Sequence, residues 1–322
     1  MSEKYTEGFI PSAPLFRDPV YDGAADPTLI YNRKKEEWWM FYTNRRAWGP
    51  NIKASFMHGT DIGIAVLVKG KTEWVYRGTA AGLELEEGRN TFWAPEIIEA
   101  EDGYHMYCSY VRGIPLDWNH ERQIIHYTSS DLWNWKYQGP IALSSDRVID
   151  ACVFHMPSGE WKMWYKDERD DCHTWAAKSQ DLYHWEVLGP EITDCPHEGP
   201  NVFFYKGYYW MITDCWNGFG VYRSNDGTKW TRKKNILDVP GKRQDDGSRG
   251  GHGDVVVCGE HAYVFYFIHP GMTQETWENG HISWTYEQRR SSVQVAELTF
   301  DGDGLCCDRD REFYLKLVAD LS

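Results

Sequence analysis

The stretch ADPTLIYNRKKEEWWMFYTN, residues 25–44, decides the fold. It contains an apolar strand, a short polar turn and an aromatic-rich second strand, which is the pattern of a β-hairpin. Similar hairpins follow, and their sequences are FWAPEIIEAEDGYHMYCSYV from Phe92, IDACVFHMPSGEWKMWYKDE from Ile149, HEGPNVFFYKGYYWMITD from His197 and GHGDVVVCGEHAYVFYFIHP from Gly251. The hairpins begin roughly 50 to 70 residues apart, a spacing typical of propeller blades.

The repeat predicts an all-β chain that folds as a five-bladed β-propeller, with residues 1–322 forming a single domain. The blades are predicted to open near Asp26, Trp93, Asp150, Glu198 and His252. No segment shows sustained helical periodicity, so less than about a fifth of the chain should be helical. We expect the stretches 293–300 and 312–317 to complete a blade that begins at the other end of the chain.

A second recurring pattern, Ser-x-Asp-x-x-x-Trp, predicts the outer hairpins of the blades. Its tryptophans, and the corresponding one in the first blade, are assigned to packing between neighbouring sheets; they are Trp74, Trp135, Trp185 and Trp230.

The composition excludes some classes of partner. The net charge of −14 argues against nucleic acid and anionic membranes. No apolar run approaches the roughly 20 residues of a membrane helix. Residues 1–14 lack the apolar core of a signal peptide, so we expect a cytoplasmic protein unless a leader has been removed. The oligomeric state cannot be read from the sequence.

Three acids lie at the openings of predicted inner strands, namely Asp26, Asp150 and Glu198. A propeller directs these openings at one central axis, so the carboxyl groups should converge. Glycoside hydrolysis uses one carboxylic acid to protonate the leaving oxygen and one carboxylate to activate water. Any one of these acids alone is more simply a turn cap, but three together favour chemistry.

The motifs ADPT, FWAPEI, IDACVF, EGPNVFFYKGYYW and GHGDVV resemble those of the propeller glycosidases of glycoside hydrolase family 43 and its relatives, including family 117. The resemblance implies an exo-acting, inverting glycoside hydrolase that releases a terminal sugar from an oligo- or polysaccharide. It also implies that Asp26 is the general base, Asp150 the modulator of the acid's pKa and Glu198 the general acid. The carboxyl groups of Asp26 and Glu198 should then lie about 6.5 to 9.5 Å apart, and repulsion from Asp150 should keep Glu198 protonated near neutral pH.

The sequence departs from family 43 at two points. Asp150 is followed by Ala151, where the family usually has proline. His197 precedes Glu198, and a His-Glu pair at this point is more similar to family 117, in which a histidine has been assigned as the proton donor. His197 is therefore a candidate acid, a candidate hydrogen-bond partner of Glu198, or a turn residue.

His252 matches the Gly-His motif that the resemblance places on the propeller axis, where the histidine often contacts a metal ion. The alternative is an ordinary histidine of the core or a loop. One histidine with water ligands suits a structural Ca²⁺ or Mg²⁺ better than zinc. No organic cofactor is expected.

Residues next to the inner strands are candidates for sugar binding. Trp93 is the preferred stacking platform. The other candidates, each of which could equally be solvated surface, are Asn44, Arg45, Glu96, Lys166, Asp167, Glu168, Trp216 and Arg290. The expected partner is an oligosaccharide. The competing hypotheses are a non-catalytic carbohydrate-binding propeller and a glycoside phosphorylase or transferase. A phosphorylase would need clustered cations for phosphate.

Overall fold

The structure is a computed structural model that describes residues 8–50, 52–273 and 284–318. Its strands form five four-stranded antiparallel sheets, and in every sheet the strand order follows the chain. The innermost strands of the five blades are β1 (Ala24–Asn32), β5 (Thr91–Ala100), β9 (Val148–His155), β13 (Glu198–Tyr205) and β17 (Gly251–Cys258). The second strands are β2 (Glu37–Asn44), β6 (Gly103–Val111), β10 (Trp161–Asp167), β14 (Tyr208–Asp214) and β18 (His261–Ile268).

The outer half of each blade is the second predicted hairpin. The third strands are β3 (Asp61–Leu67), β7 (Gln123–Ser129), β11 (His173–Ser179), β15 (Phe219–Ser224) and β19 (Ser292–Phe300). The outermost strands are β4 (Trp74–Thr79), β8 (Lys136–Pro140), β12 (Glu186–Ile192), β16 (Thr231–Arg232) and β20 (Leu305–Cys307). In the described residues, helix is confined to a 3₁₀ turn at Lys53–Met57 and one α-helical turn at Tyr286–Arg289. No helix among them is long and apolar enough to cross a membrane.

The inner strands close into a ring. Each of them packs against the inner strand of the next blade, and β17 packs back against β1. The five-bladed propeller predicted from the sequence is therefore confirmed.

The predicted closure by terminal strands is wrong. Residues 293–300 belong to β19, the third strand of blade five, and Leu315 forms only an isolated bridge with Phe9. Another isolated bridge joins Phe16 to Val293. The four strands of each blade are consecutive in the sequence. Each blade is thus built from one continuous segment and needs no strand from the other terminus.

The recurring Ser-x-Asp pattern makes the same turn in three blades. In blade two, the Ser129 hydroxyl accepts the amide of Leu132 and the Asp131 carboxylate accepts that of Trp133. Equivalent bonds recur at Ser179 and Asp181, and at Ser224 and Asp226. Of the tryptophans assigned to packing, Trp74 and Trp135 are buried in the clusters between blades.

A bulge interrupts the pairing near the start of every inner strand. In four blades the bulge contains a residue with left-handed backbone, and these residues are Asp26 (φ 49°), Ala94 (φ 43°), Asp150 (φ 60°) and Gly199 (φ 56°). Bulges bend a strand and redirect its side chains. The repeated bulge therefore directs one side of each inner strand towards the axis at one end of the ring.

Candidate active site

A cavity of about 440 Å³ lies at that end of the ring. It brings together residues from all five blades, and its lining includes Asp26, Arg45, Trp93, Arg122, Asp150, Lys166, Glu168, Glu198, Asp214, Trp216, Arg249, His252, Phe267 and His269. The three predicted acids thus open into one cavity, together with the predicted Arg45, Lys166, Trp93, Trp216 and His252.

Asp26 is held by a cation from its own blade. Nη2 of Arg45 lies 3.1 Å from Oδ1 and 3.4 Å from Oδ2 of Asp26. The same guanidinium contacts Nε2 of His269 at 3.0 Å and packs over the ring of Phe267. Nδ1 of His252 lies 3.9 Å from Oδ1 of Asp26. These contacts fix the carboxylate at one side of the cavity.

Glu198 lies one position earlier in its blade than Asp26 and Asp150 lie in theirs. The left-handed residue of blade four is Gly199, and Glu198 precedes it and pairs with Asp214 on β14. Glycine is required there, because a Cβ on Gly199 would lie 2.5 Å from the His252 ring. The prolines show this offset in the sequence, since Pro27 follows Asp26 and Pro200 follows Gly199.

The second strand of each blade contributes one residue that pairs with the residue before the bulge. We call these the junction positions, and they are Thr43, Ser109, Lys166, Asp214 and Phe267.

At three junctions between blades, the junction side chain accepts the amide N–H of the bulge residue in the next blade. The acceptors are Thr43 for Ala94 at 2.8 Å, Ser109 for Asp150 at 3.0 Å and Asp214 for His252 at 2.9 Å. Lysine cannot accept a hydrogen bond, so the junction between blades three and four is different. There Oδ2 of Asp150 accepts the amide of Gly199 at 3.1 Å.

Lys166 is consequently free to bind carboxylates. Its Nζ lies 2.9 Å from Oε2 of Glu198 and 3.2 Å from Oε1 of Glu168. Burial alone would raise the pKa of Glu198, but the Lys166 cation and hydrogen bonds from Lys166 and Trp216 outweigh it and lower this pKa to about 2. The expectation that Glu198 is protonated near neutral pH is wrong for this structure, because the adjacent Lys166 cation stabilises the ionised carboxylate.

Two acids near Glu198, Asp150 and Asp214, have pKa values above the usual range of aspartate. Burial, with repulsion from Glu198, raises the pKa of Asp150 to about 6, against the opposing effect of His252. Burial and the charge of Glu198 raise the pKa of Asp214 to about 7. Oδ1 of Asp214 also accepts the amide of Trp216 at 2.7 Å. The cavity therefore contains an ionised Glu198 flanked by two carboxyl groups whose pKa values are raised towards neutral pH, that of Asp214 more than that of Asp150.

His197 does not line the cavity. Its ring is buried, with Nε2 2.6 Å from the hydroxyl of Thr174 and Nδ1 2.7 Å from the carbonyl of Cys195. Burial lowers its pKa. Both of its nitrogens are occupied by protein groups, so the structure contradicts its assignment as an acid or as a partner of Glu198.

Two predicted sugar-binding residues, Asn44 and Glu96, are directed into the protein rather than into the cavity. Asn44 is buried and its amide donates to Asp18 at 3.2 Å. Glu96 accepts the amide of Val153 in the next blade at 2.7 Å, and burial raises its pKa well above the usual range. Both bind neighbouring protein groups because strand alternation places them away from the cavity.

Asp167 and Arg290 are also misassigned. Asp167 accepts the hydroxyls of Ser144 and Ser145 at 2.5 and 2.7 Å. Arg290 forms ion pairs with Asp245 and Glu287. Neither residue lines the cavity.

More tryptophan side chains line the cavity than the sequence predicted. Trp93 lines the cavity but is only 8% exposed, and its indole N–H donates to the carbonyl of Met57. Trp118 and Trp216 also line the cavity and are 42% and 43% exposed. A sugar ring needs an accessible aromatic face, so these two are the better stacking platforms.

The cation predicted at His252 remains a prediction. His252 does line the cavity, next to Asp26 and Gly199. Within the described part of the chain, no group of three or more His, Cys, Asp or Glu side chains is arranged to hold a metal ion. A cation bound at His252 would therefore take most of its ligands from water or substrate.

Three charged residues of the cavity were missed by the sequence analysis, and these are Arg122, Asp214 and Arg249. Asp214 had a detectable signal, since it occupies the junction position that the repeat marks at Thr43 and Ser109. Arg122 and Arg249 lie in loops outside the repeat, where no periodic signal exists.

Solved structures with the same fold are family-43 glycosidases. A thermostable family-43 glycoside hydrolase has 20% sequence identity and a TM-score of 0.65, covering 91% of this chain and 95% of that chain. An α-L-arabinofuranosidase from Lactobacillus brevis has 14% identity and a TM-score of 0.62, covering 91% and 96%. The GH43_1 enzyme from Xanthomonas citri complexed with xylotriose has 15% identity and a TM-score of 0.64, covering 92% and 93%.

At these identities the likeness establishes the fold, and it confirms the resemblance to family 43 at that level. Comparison of the sequence with protein-family models finds no match, and comparison with curated proteins finds none either.

Proposed function

We propose that the chain is an exo-acting, inverting glycoside hydrolase that removes a terminal sugar from an oligosaccharide. The observation that carries the proposal is that Asp26, Asp150 and Glu198, from three different blades, open into one cavity of about 440 Å³. Three convergent carboxyl groups are costly for a protein that only binds sugar. Family-43 enzymes with the same fold, one of them complexed with xylotriose, support the reaction class.

In this proposal Asp26 is the general base. Arg45 orients its carboxylate, which removes a proton from the water that attacks the anomeric carbon. Trp118 and Trp216 offer accessible faces for the sugar ring.

Glu198 is the proposed general acid, and the structure adds Asp214 as an alternative. Glu198 must gain a proton before it can donate one. Asp214, whose pKa is raised to about 7, is partly protonated at neutral pH, whereas Asp150, with a pKa of about 6, holds its proton mainly at lower pH. Substrate that weakens the Lys166–Glu198 pair would allow a proton to move to Glu198. If Asp214 donates directly, the negative charge of Glu198 helps to hold its pKa high, and Lys166 contributes only by keeping Glu198 ionised.

Substitution of the base tests the proposal. Asp26→Asn should reduce turnover of aryl glycosides by about 10²- to 10⁴-fold, because the variant keeps the shape of the site but loses the base. Oligosaccharide binding, measured by calorimetry, should be largely retained. Unchanged turnover in the variant would exclude Asp26 as the base.

Leaving-group dependence identifies the acid. A variant without its acid should still cleave substrates with good leaving groups, since these need little protonation. We expect this rescue in Glu198→Gln. Rescue in Asp214→Asn instead would transfer the role to Asp214, and His197→Ala is the matched control that should show none.

A further inference from the structure

The cavity is rich in cations although the chain has a net charge of −14. Four cationic side chains line it, and these are Arg45, Arg122, Lys166 and Arg249. A neutral sugar offers hydroxyl groups, which do not neutralise a guanidinium that has been moved out of water. The pairing state of each cation therefore bears on the charge of the substrate.

Three of the cations are paired with carboxylates. Arg45 pairs with Asp26 at 3.1 Å. Lys166 pairs with Glu198 and shares Glu168 with Arg122, whose Nη1 lies 3.2 Å from that carboxylate.

Arg249 differs from the others. Its Nη1 donates to the backbone carbonyl of Trp216 at 2.6 Å, and no carboxylate pairs with it among the residues that the structure describes. Trp216 is the exposed aromatic residue of the same cavity. Arg249 is thus a tethered guanidinium, beside a sugar-stacking surface, whose charge is not compensated by the described part of the protein.

Arg122 also has a donor nitrogen that the described part of the protein does not use. It is only 3% exposed and lines the cavity, and Glu168 and the carbonyl of Trp118 take its two terminal nitrogens. Its Nε has no hydrogen-bond partner within the described ranges. A buried unpaired donor is unfavourable, and an acceptor supplied by a ligand would satisfy it.

We propose that the sugar bound in this cavity carries a carboxylate, as a uronic acid does, and that Arg249 binds that carboxylate, with Arg122 as a further donor; this rests on the proposed function of the site. Guanidinium binds carboxylate through two parallel hydrogen bonds. A monoanion matches the single uncompensated guanidinium. A phosphate dianion would meet repulsion from Asp26, Glu168 and Glu198, so inorganic phosphate should bind weakly.

Calorimetry with monosaccharides tests the proposal. The probes are D-glucuronate and D-galacturonate, each compared with neutral D-glucose and D-galactose, and inorganic phosphate. We expect at least one uronate to bind about 10-fold or more tightly than its neutral parent. Added salt should reduce this preference, because the attraction is electrostatic.

The variant Arg249→Met should remove the preference, so that the ratio of uronate affinity to neutral-sugar affinity falls to about one. Arg249→Lys should retain part of it, since the charge remains but the planar fork is lost. Arg112→Met is the matched control. Arg112 is 83% exposed and lies outside the cavity, so its substitution removes the same charge without changing the site. Melting temperatures establish that each variant is folded.

Hydrolysis of aryl uronides and neutral aryl glycosides separates this inference from the proposed function. Uronate binding without hydrolysis of any glycoside would support the inference and refute the hydrolase. Hydrolysis of neutral glycosides with no preference for uronates would support the hydrolase and refute the inference. The inference is also overturned if no uronate binds, or if phosphate binds more tightly than every uronate, which would favour phosphorolysis.

Discussion

The junction between blades one and two and the junction between blades three and four have the same backbone but different side chains. At the first, Thr43 accepts the amide of Ala94, and no acid is present at either position. At the other, Lys166 replaces the acceptor, Asp150 takes over the bond to Gly199, and Glu198 is bound by the lysine. The Lys166–Glu198 ion pair thus arises where one residue departs from the repeat, while the bulges on either side of it belong to the repeat itself.

Substitution of Lys166 should have the largest effect on the difference between these two junctions. Lys166→Met leaves Glu198 and Glu168 without their shared cation, so the free energy of unfolding should fall by about 3 kcal/mol. The pKa of Glu198 should rise, because the cation that lowers it is gone. The pH profile of kcat/KM should therefore shift upwards.

Lys162→Met is the matched control for that variant. Lys162 lies on the same strand, is equally buried and pairs with Glu191 outside the cavity. It should show a similar loss of stability in denaturant unfolding with an unchanged pH profile. Equal shifts of the profile in both variants would contradict the special role of Lys166.

Two substitutions of Asp150 should separate the structural role of this residue from its electrostatic role. Asp150→Asn keeps an oxygen to accept the Gly199 amide, so stability should change little, while kcat should fall by about 10- to 100-fold. Asp150→Ala loses the acceptor as well and should cost a further 1 to 3 kcal/mol, approximately, in unfolding free energy. Equal stability of the two variants would mean that the bond to Gly199 contributes nothing.

Asp214 should make stability depend on pH. Its pKa of about 7 in the folded protein exceeds the roughly 3.9 of an unfolded aspartate, so the folded state binds the proton more tightly. Its contribution is present below about pH 4 and is lost as the pH rises to about 7. The stability of the wild type relative to Asp214→Asn should fall across this window by on the order of 4 kcal/mol. A difference in melting temperature that is constant from pH 4 to 8 would contradict it.

The smallest effect is expected at Thr43. Thr43→Val leaves the amide of Ala94 unpaired and should cost about 1 kcal/mol without changing kcat. Ser109→Ala removes the equivalent bond to the amide of Asp150 and should cost as much stability, but should also reduce kcat several-fold. The pair of variants compares a junction that holds no acid with one that does.

The repeat explains what could be predicted. Strand alternation and hairpin turns recur in all five blades, so architecture and the convergence of Asp26, Asp150 and Glu198 were accessible from one sequence. The partners of Glu198 were not, since Lys166 lies on β10 of blade three and reaches Glu198 on β13 only through packing between blades. Asn44 and Asp167 were misassigned for a different reason, because one step along a strand turns a side chain to the other face.

Blade closure has a consequence for how the chain could be rearranged. Within the described residues, no blade takes a strand from the opposite terminus. The contact between blades five and one includes the bond from the amide of Leu29 to Asp254, and Val255 and Asn201 form the same kind of bond between blades four and five. The junction between blades five and one therefore uses a bond found elsewhere in the ring, with the isolated bridges of Phe9 and Phe16 added to it. A gene opened between two other blades, with its original ends joined by a linker, would encode the same set of sheets, and an ancestor that gained or lost a whole blade could do so without leaving any sheet incomplete.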